Sequence, residues 1–563
     1  MPLFMSLLHK IFPPFVWLKG YSSFILKRDL VAGITLAAYG IPVSLAYATL
    51  AGLPPQYGIY GYLIGGFFYA MLGTSKQLAI GPTSAISLVI GTTIAGMANG
   101  DVQRWADIAS LTALVFSVLA ILAYFLRLSG IINFISESVL IGFKAGAGLT
   151  IGLTQLPKLF GVEGGGENFL GRIVTLIQQL PETNLAVLIF GIAAIVIILF
   201  GEKIVPGKPI AIVIVVISIL LISLTSLGEQ EFITVGFIPS GLPEFHIPSL
   251  RVRDIDGVLP LALACFLLSY IESVSAARTL AQKNGYFIDP RQELLALGVA
   301  NAAVALGQGY PVAGGLSQSA INDSAGARTP LSLVFASVSI AVCLVFLTGF
   351  LQNLPTVVLA AIVLVAIKGL FEIKEMKHLY KINKQEFYVA MIALIGVVIW
   401  GILTGVLLAA IFTLLLLLKA TSKPNVAFLG RIPNTKRYSD LERHPDNENI
   451  PGVLIVRIES AILYFNSENI KENIWAKINY ETQPLQTVIL DLSSSPHVDI
   501  SGVRFLKQMF NDLKAKNISF KIAEARSEVR DILRAEKMEV LLGHISRFVS
   551  VDDLVVEATK EVK

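Results

Sequence analysis

Two stretches break otherwise apolar sequence with Gly, Pro and hydroxyl side chains: Ala79-Ile80-Gly81-Pro82-Thr83-Ser84-Ala85, and Tyr310-Pro311-Val312-Ala313-Gly314-Gly315-Leu316-Ser317-Gln318-Ser319-Ala320. Pro and Gly forbid helix before each break, and Thr83, Ser84 or Ser317 could cap a helix after it. Non-helical backbone survives at membrane depth only where it lines a cavity or is buried in protein. Paired interrupted segments in the two halves of a chain are the sequence sign of a transporter binding site. A helix N-terminus carries about half a positive charge and free N–H groups, so two facing each other suit an anion. Glu272 and Lys144 also lie inside apolar runs, and ionisable groups at that depth are functional by default. A desolvated Glu272 could take up a proton and couple it to transport. Lys144 could offset charge in the site, pair with Glu272 or reach the surface, with a surface or structural role the first expectation. Asp323, near the end of the second break, is expected at the rim, with completion of a cation site as the alternative.

These groups need a membrane scaffold, and the composition supplies one. Of 563 residues, 54% are hydrophobic and only 15% charged, against about 25% charged in ordinary soluble domains. Between residues 30 and 418 the sequence reads as about fourteen segments, several shorter than the roughly 20 residues that span a bilayer. Phe387 to Leu418 breaks at Trp400–Gly401, as two short helices or one kinked one. Pairs such as Gly142/Gly146 and Gly401/Gly405 read as close helix packing. Loop charges set orientation: Lys76, Arg127, Lys203, Lys208, Lys374 and Lys377 fall on one side, acidic Glu163, Glu167, Glu229 and Glu231 on the other, with Arg253 a minority basic residue there. Both termini are expected to be cytoplasmic, in a cell (plasma or inner) membrane. The net charge of +4 is scattered and gives no nucleic-acid reading. Cys265 and Cys343 form no disulfide framework, and none of the six histidines has metal-ligand spacing. No nucleophile–base motif marks an enzyme. No cofactor is expected.

The combination of Pro42-Val43-Ser44-Leu45-Ala46-Tyr47-Ala48, Pro54-Pro55-Gln56-Tyr57-Gly58, Gly81-Pro82-Thr83, Asp289-Pro290-Arg291-Gln292-Glu293 and Gly314-Gly315-Leu316-Ser317-Gln318-Ser319 resembles the sulfate permease family. The resemblance implies a polytopic helical fold of seven-plus-seven inverted repeats, divided into a core that moves like an elevator and a gate. It implies substrate-binding positions at Tyr47, Thr83, Ser84, Leu316, Ser317 and Gln318, and a coupling carboxylate at Glu272. Many members have arginine where this chain has Gln318. A glutamine supplies no fixed charge, which leaves room for a cation-coupled importer.

The expected function is secondary transport of an inorganic anion, sulfate first, coupled to co-transported H⁺ or Na⁺. Na⁺-dependent bicarbonate and H⁺-coupled dicarboxylate transport are the alternatives, with an anion channel ranked below them. The need for coupling follows from electrostatics. A dianion entering against 100 mV faces about 4.6 kcal/mol, at about 2.3 kcal/mol per charge.

The remainder divides into an N-terminal segment 1–29, a transport domain 30–419, a polar linker 420–449 with edge structure, and an α/β domain 450–563. There, Val453–Ile458 and Thr487–Leu492 read as strands and 468–480, 501–514 and 527–536 as helices. Asp499-Ile500-Ser501-Gly502 resembles the loop of STAS domains. Ser501 is thus a candidate regulatory phosphorylation site at a helix N-terminus, and such domains imply a homodimer.

Overall fold

The computed structural model describes residues 13–560, apart from 19, 99–100, 131–135, 167, 206–209, 225–231, 250, 252–253, 482 and 544. The orientation charges Lys208, Glu167, Glu229, Glu231 and Arg253 lie outside the described residues, as do residues 1–12 of the N-terminal segment. The chain forms two units, Met1–Thr413 and Leu414–Lys563.

In the first unit the helices are α1 (Ser23–Leu50), α2 (Pro55–Leu72), α3 (Ser84–Ala98), α4 (Val102–Phe125), α5 (Glu137–Phe160), α6 (Phe169–Gln179), α7 (Leu185–Ile204) and α8 (Ile210–Leu224). They continue with α9 (Ile255–Asn284), α10 (Pro290–Leu306), α11 (Leu316–Ser324), α12 (Leu331–Phe346), α13 (Thr356–Ile367), α14 (Ile373–Ile382), α15 (Lys384–Trp400) and α16 (Ile402–Ser422). Two dipeptide strands, β1 (Ile80–Gly81) and β2 (Ala313–Gly314), precede α3 and α11. Leaving aside the amphipathic α6 and α14, fourteen of these helices remain, the number that two repeats of seven require. By length and composition alone, six spans among the described residues are long and apolar enough to cross a membrane. The rest are short or interrupted, as the sequence suggested.

Helices α1–α4 and α9–α12 pack as the core, with α4 lying along α10 and α12 along α1 and α2. The gate is built where α5 meets α13 and α15. The Gly142/Gly146 pair serves that contact: a Cβ on Gly142 would lie 1.9 Å from the Ala390 carbonyl oxygen, so no larger residue lets these backbones approach. Gly401, with φ +86°, ends α15 and turns the chain into α16. This resolves the Phe387–Leu418 run into two helices, since a left-handed backbone at that residue cannot continue an α-helix.

The second unit is an α/β fold. β3 (Val426–Arg431), β4 (Tyr438–Asp440), β5 (Val453–Ile458), β6 (Thr487–Asp491) and β7 (Ser519–Ala523) form a sheet in the order β4-β3-β5-β6-β7. α17 (Ser467–Tyr480), α18 (Ile500–Ala515), α19 (Ser527–Ala535) and α20 (Val551–Lys560) cover it. The stretch read as a polar linker contributes more than edge structure. β3 runs antiparallel to β5 from Val426↔Ile458 to Leu429↔Ile455 and also carries β4. Its inward Ala427 and Leu429 are buried.

Candidate functional site

The site is built from the two breaks. β1 and β2 pair antiparallel, Ile80 with Gly314 and Gly81 with Ala313. Because the strands oppose one another, the helices they feed, α3 and α11, start at a common point from opposite directions. Gly81 is required there: a Cβ would lie 2.3 Å from the Tyr62 ring. The backbone polar groups freed by the breaks are satisfied by buried side chains, as they must be at this depth. Ser273 Oγ accepts from Gly314 N at 2.8 Å, and Ser269 Oγ donates to the Val312 carbonyl at 3.1 Å. Asn301 accepts from Val312 N at 2.9 Å, and Ser319 Oγ accepts from Ala79 N at 2.9 Å. None of these four was among the sequence candidates. The usable signal was Ser269 and Ser273, one helical turn apart and bracketing Glu272 on α9.

Gln318 is buried, and its Nε2 donates to the carbonyls of Ala79 at 2.9 Å and Ala313 at 3.2 Å. Its amide nitrogen is spent stapling the two strands. The expected capping by hydroxyls gives way to a different arrangement. Gly315 is the N-cap of α11 with no side-chain cap bond, and Ser317 is exposed. Thr83 Oγ1 instead donates to Glu272 Oε2 at 3.3 Å. Side chains that do not close the helix start leave its first N–H groups for a ligand.

A cavity of about 130 Å³ opens between the half-helices. It is lined by Tyr47, Thr83, Ser84, Glu272, Leu316, Ser317 and Gln318, so every proposed substrate and coupling position meets there. The space suits a small ion and is well below the roughly 300–1,000 Å³ of drug-sized pockets. Glu272 is half-buried and faces this space from α9. Lys144 lines the opposite wall from α5, and its Nζ sits 2.8 Å from Glu372 Oε1. It is paired with neither Glu272 nor the surface alone, and Glu372 is a cavity residue the sequence reading missed.

Asp323 is not part of the cavity lining. It accepts from Lys283 Nζ at 2.7 Å and Asn284 Nδ2 at 2.9 Å, which fastens the end of α11 to the end of α9. Ser501 belongs to the other unit, where it is exposed in the first turn of α18 behind the Asp499 N-cap, whose carboxylate accepts from Gly502 N at 2.7 Å. Among the described residues no group of three or more His, Cys, Asp or Glu side chains could hold a metal ion.

The sulfate permease family profile matches residues 26–393, which includes both breaks and Glu272. The chain belongs to the sulfate permease family. A STAS domain profile matches residues 444–550. This permease is 32% identical to the chloroplastic sulfate transporter 4.1 of Arabidopsis thaliana, over 97% of this chain and 82% of that protein. It is 28% identical to a probable sulfate transporter of Mycobacterium tuberculosis, over 96% of both. The permease superposes on the solved structure of SLC26A9 with a TM-score of 0.91 at 21% identity, covering 99% of this chain and 94% of that one. The transmembrane domain of a cyanobacterial bicarbonate transporter, BicA, aligns with a TM-score of 0.61 at 21% identity, over 70% of this chain and 98% of that one. The permease is thus a multi-pass membrane transporter with a C-terminal STAS domain, not an enzyme.

Proposed function

We propose that this permease is a secondary active transporter of a small inorganic anion, sulfate first, that binds it between α3 and α11. Glu272 couples the movement to H⁺ or Na⁺, and the core carries the anion past the gate in an elevator-like step. The observation that carries the reading is the convergence of two half-helix N-termini, with the Thr83 hydroxyl and Glu272, on one cavity of about 130 Å³. Sulfate is favoured by the names of relatives that share most of the chain.

The charges explain why coupling belongs at Glu272. Two helix starts contribute roughly one positive charge in all, which a single ionised Glu272 cancels. Neutralising that carboxylate by a proton or a sodium ion restores attraction for the anion. Releasing both on the far side returns the carrier.

Tyr47, Thr83, Ser84, Leu316 and Ser317 shape the anion site, while Gln318 acts through the strands it joins. Ser501 is proposed as a regulatory site on the STAS domain, which supports a homodimer. The loop charges support cytoplasmic termini, and the cell membrane is the proposed location.

The test is uptake of labelled sulfate into proteoliposomes, with unlabelled sulfate, bicarbonate and fumarate as competitors, under imposed H⁺ or Na⁺ gradients. Sulfate should compete best and one gradient should drive accumulation. Stronger competition by bicarbonate or fumarate would reassign the substrate, and indifference to both gradients would remove the coupling.

A further inference from the structure

The charged side chains lining the cavity, among the described residues, are Glu272, Lys144 and Glu372. Lys144 is therefore the one fixed cation on the wall. It stands on the gate, across from the half-helices of the core. Its charge is already engaged by Glu372, whose Oε1 lies 2.8 Å from the ammonium. Both side chains keep about a third of their surface open, 33% for Lys144 and 31% for Glu372, so the pair is reachable from the cavity.

We propose that Glu372 is a built-in competitor of the transported anion: its carboxylate occupies Lys144 when the site is empty, and an arriving anion takes the lysine from it. Three observations carry this. The first is chemical, because a carboxylate presents an ammonium with the same hydrogen-bond acceptors as an oxyanion. The second is positional, because the pair lines the cavity that holds the half-helix starts. The third is local, because Glu372 sits in the turn between the short 3₁₀ segment Lys368–Leu370 and α14, with no side-chain capping bond to the helix it precedes. Its carboxylate can leave Lys144 without dismantling a helix. An intramolecular stand-in of this kind keeps the empty carrier electrically balanced and makes release of the anion easier, since Glu372 returns as the anion leaves. The inference rests on the anion site proposed between α3 and α11.

The test uses full-length protein in detergent, with sulfate binding followed by calorimetry and uptake KM measured in proteoliposomes. A hydrogen bond to a charged group contributes about 1.5–3 kcal/mol and each 1.4 kcal/mol is tenfold, so Lys144→Gln should weaken binding by about tenfold or more. Glu372→Gln should act in the opposite sense, tightening sulfate binding and lowering KM, while Lys144→Arg stays near the parent value. A purely structural ion pair would instead give two variants that weaken binding together. Weaker or unchanged sulfate binding in Glu372→Gln overturns the proposal. If Lys144→Gln is not monodisperse, Glu372→Gln alone decides, because it keeps the lysine. Thr83→Val separates the two levels of the argument. A raised KM there, with no tightening in Glu372→Gln, sinks this inference and spares the anion site. An unchanged KM in every variant sinks the site as well.

Discussion

Replacing Gln318 by alanine tests whether the two broken helices are held together as one binding element. The side chain makes two hydrogen bonds, 2.9 Å to the Ala79 carbonyl and 3.2 Å to the Ala313 carbonyl. At a net 0.5–1.5 kcal/mol each, their loss costs about 1–3 kcal/mol, and the orphaned carbonyls lie where no water replaces the donor cheaply. The cost falls on the empty protein, so it should appear as a lower unfolding temperature before any ligand is added. If the loosened strands must close again for the anion, the same energy raises KM by about five- to 150-fold. Gln318→Glu has nearly the same shape but turns the donor into an acceptor against two carbonyl oxygens and adds a negative charge beside the cavity. It should therefore be worse than alanine in both assays. The measurements are thermal unfolding of the purified full-length protein and initial rates of sulfate uptake. A raised KM in Gln318→Ala with an unchanged unfolding temperature would make Gln318 a direct anion contact and refute the staple. Wild-type behaviour of Gln318→Glu would refute both.

Other perturbations follow from the same geometry. Glu272→Gln can still accept from Thr83 but cannot bind H⁺ or Na⁺ as a carboxylate does. It should bind sulfate while losing gradient-driven accumulation, and preserved gradient dependence would move the coupling elsewhere. Gly81→Ala forces a Cβ to within 2.3 Å of the Tyr62 ring. Such overpacking costs about 1–3 kcal/mol, and uptake should fall sharply unless the ring is removed with it, as in Tyr62→Leu. Ser550 and Asp553 form a reciprocal cap at the start of α20: Ser550 Oγ donates to Asp553 at 2.5 Å and accepts from Asp553 N at 3.2 Å. Ser550→Ala should speed amide exchange in that turn about fivefold, from a cap loss of about 1 kcal/mol. The Ser550 bonds hold the Asp553 carboxyl below its usual range. Its folded-state pKa is the lower one, so its contribution is present above the ordinary carboxylate range and fades as pH falls through the lowered value; protection that stays flat on acidification would contradict this. Finally, truncation after residue 449 leaves β3 without its partner β5, an open edge that favours aggregation. Truncation after residue 422 removes that edge and should give the more monodisperse protein in size-exclusion chromatography.

Much of this arrangement was legible in the residues. Pro82 and the Gly314–Gly315 pair announced breaks because a proline without an N–H and two adjacent glycines, each beside hydroxyl side chains, weaken a helix far more than an isolated Gly or Pro does. Glu272 announced a site because an ionisable group is costly at that depth. The strands Val453–Ile458 and Thr487–Asp491 were readable from β-branched runs. What escaped depended on partners distant in sequence. Nothing local told Asn301 and Ser319 that they would satisfy backbone groups released by the breaks, since isolated hydroxyls and amides in apolar helices look alike whether they point at lipid, helix or strand. Glu372 was hidden because it follows a short 3₁₀ turn in a charged loop. Only the folding of α5 against that turn places it opposite the core. Lys144 was visible, but its partner was not. The strand β3 was obscured because its apolar run, Val426–Leu429, is short and lies in an otherwise polar stretch between Pro424 and Pro433.

The most direct test of the central claim is a structure of the full-length protein with selenate, whose selenium scatters strongly enough to locate the anion. The anion should lie between the first turns of α3 and α11, within hydrogen-bonding reach of their backbone N–H groups and beside Thr83 and Ser317. Selenate bound elsewhere, with this cavity empty at a concentration that inhibits sulfate uptake, would contradict it.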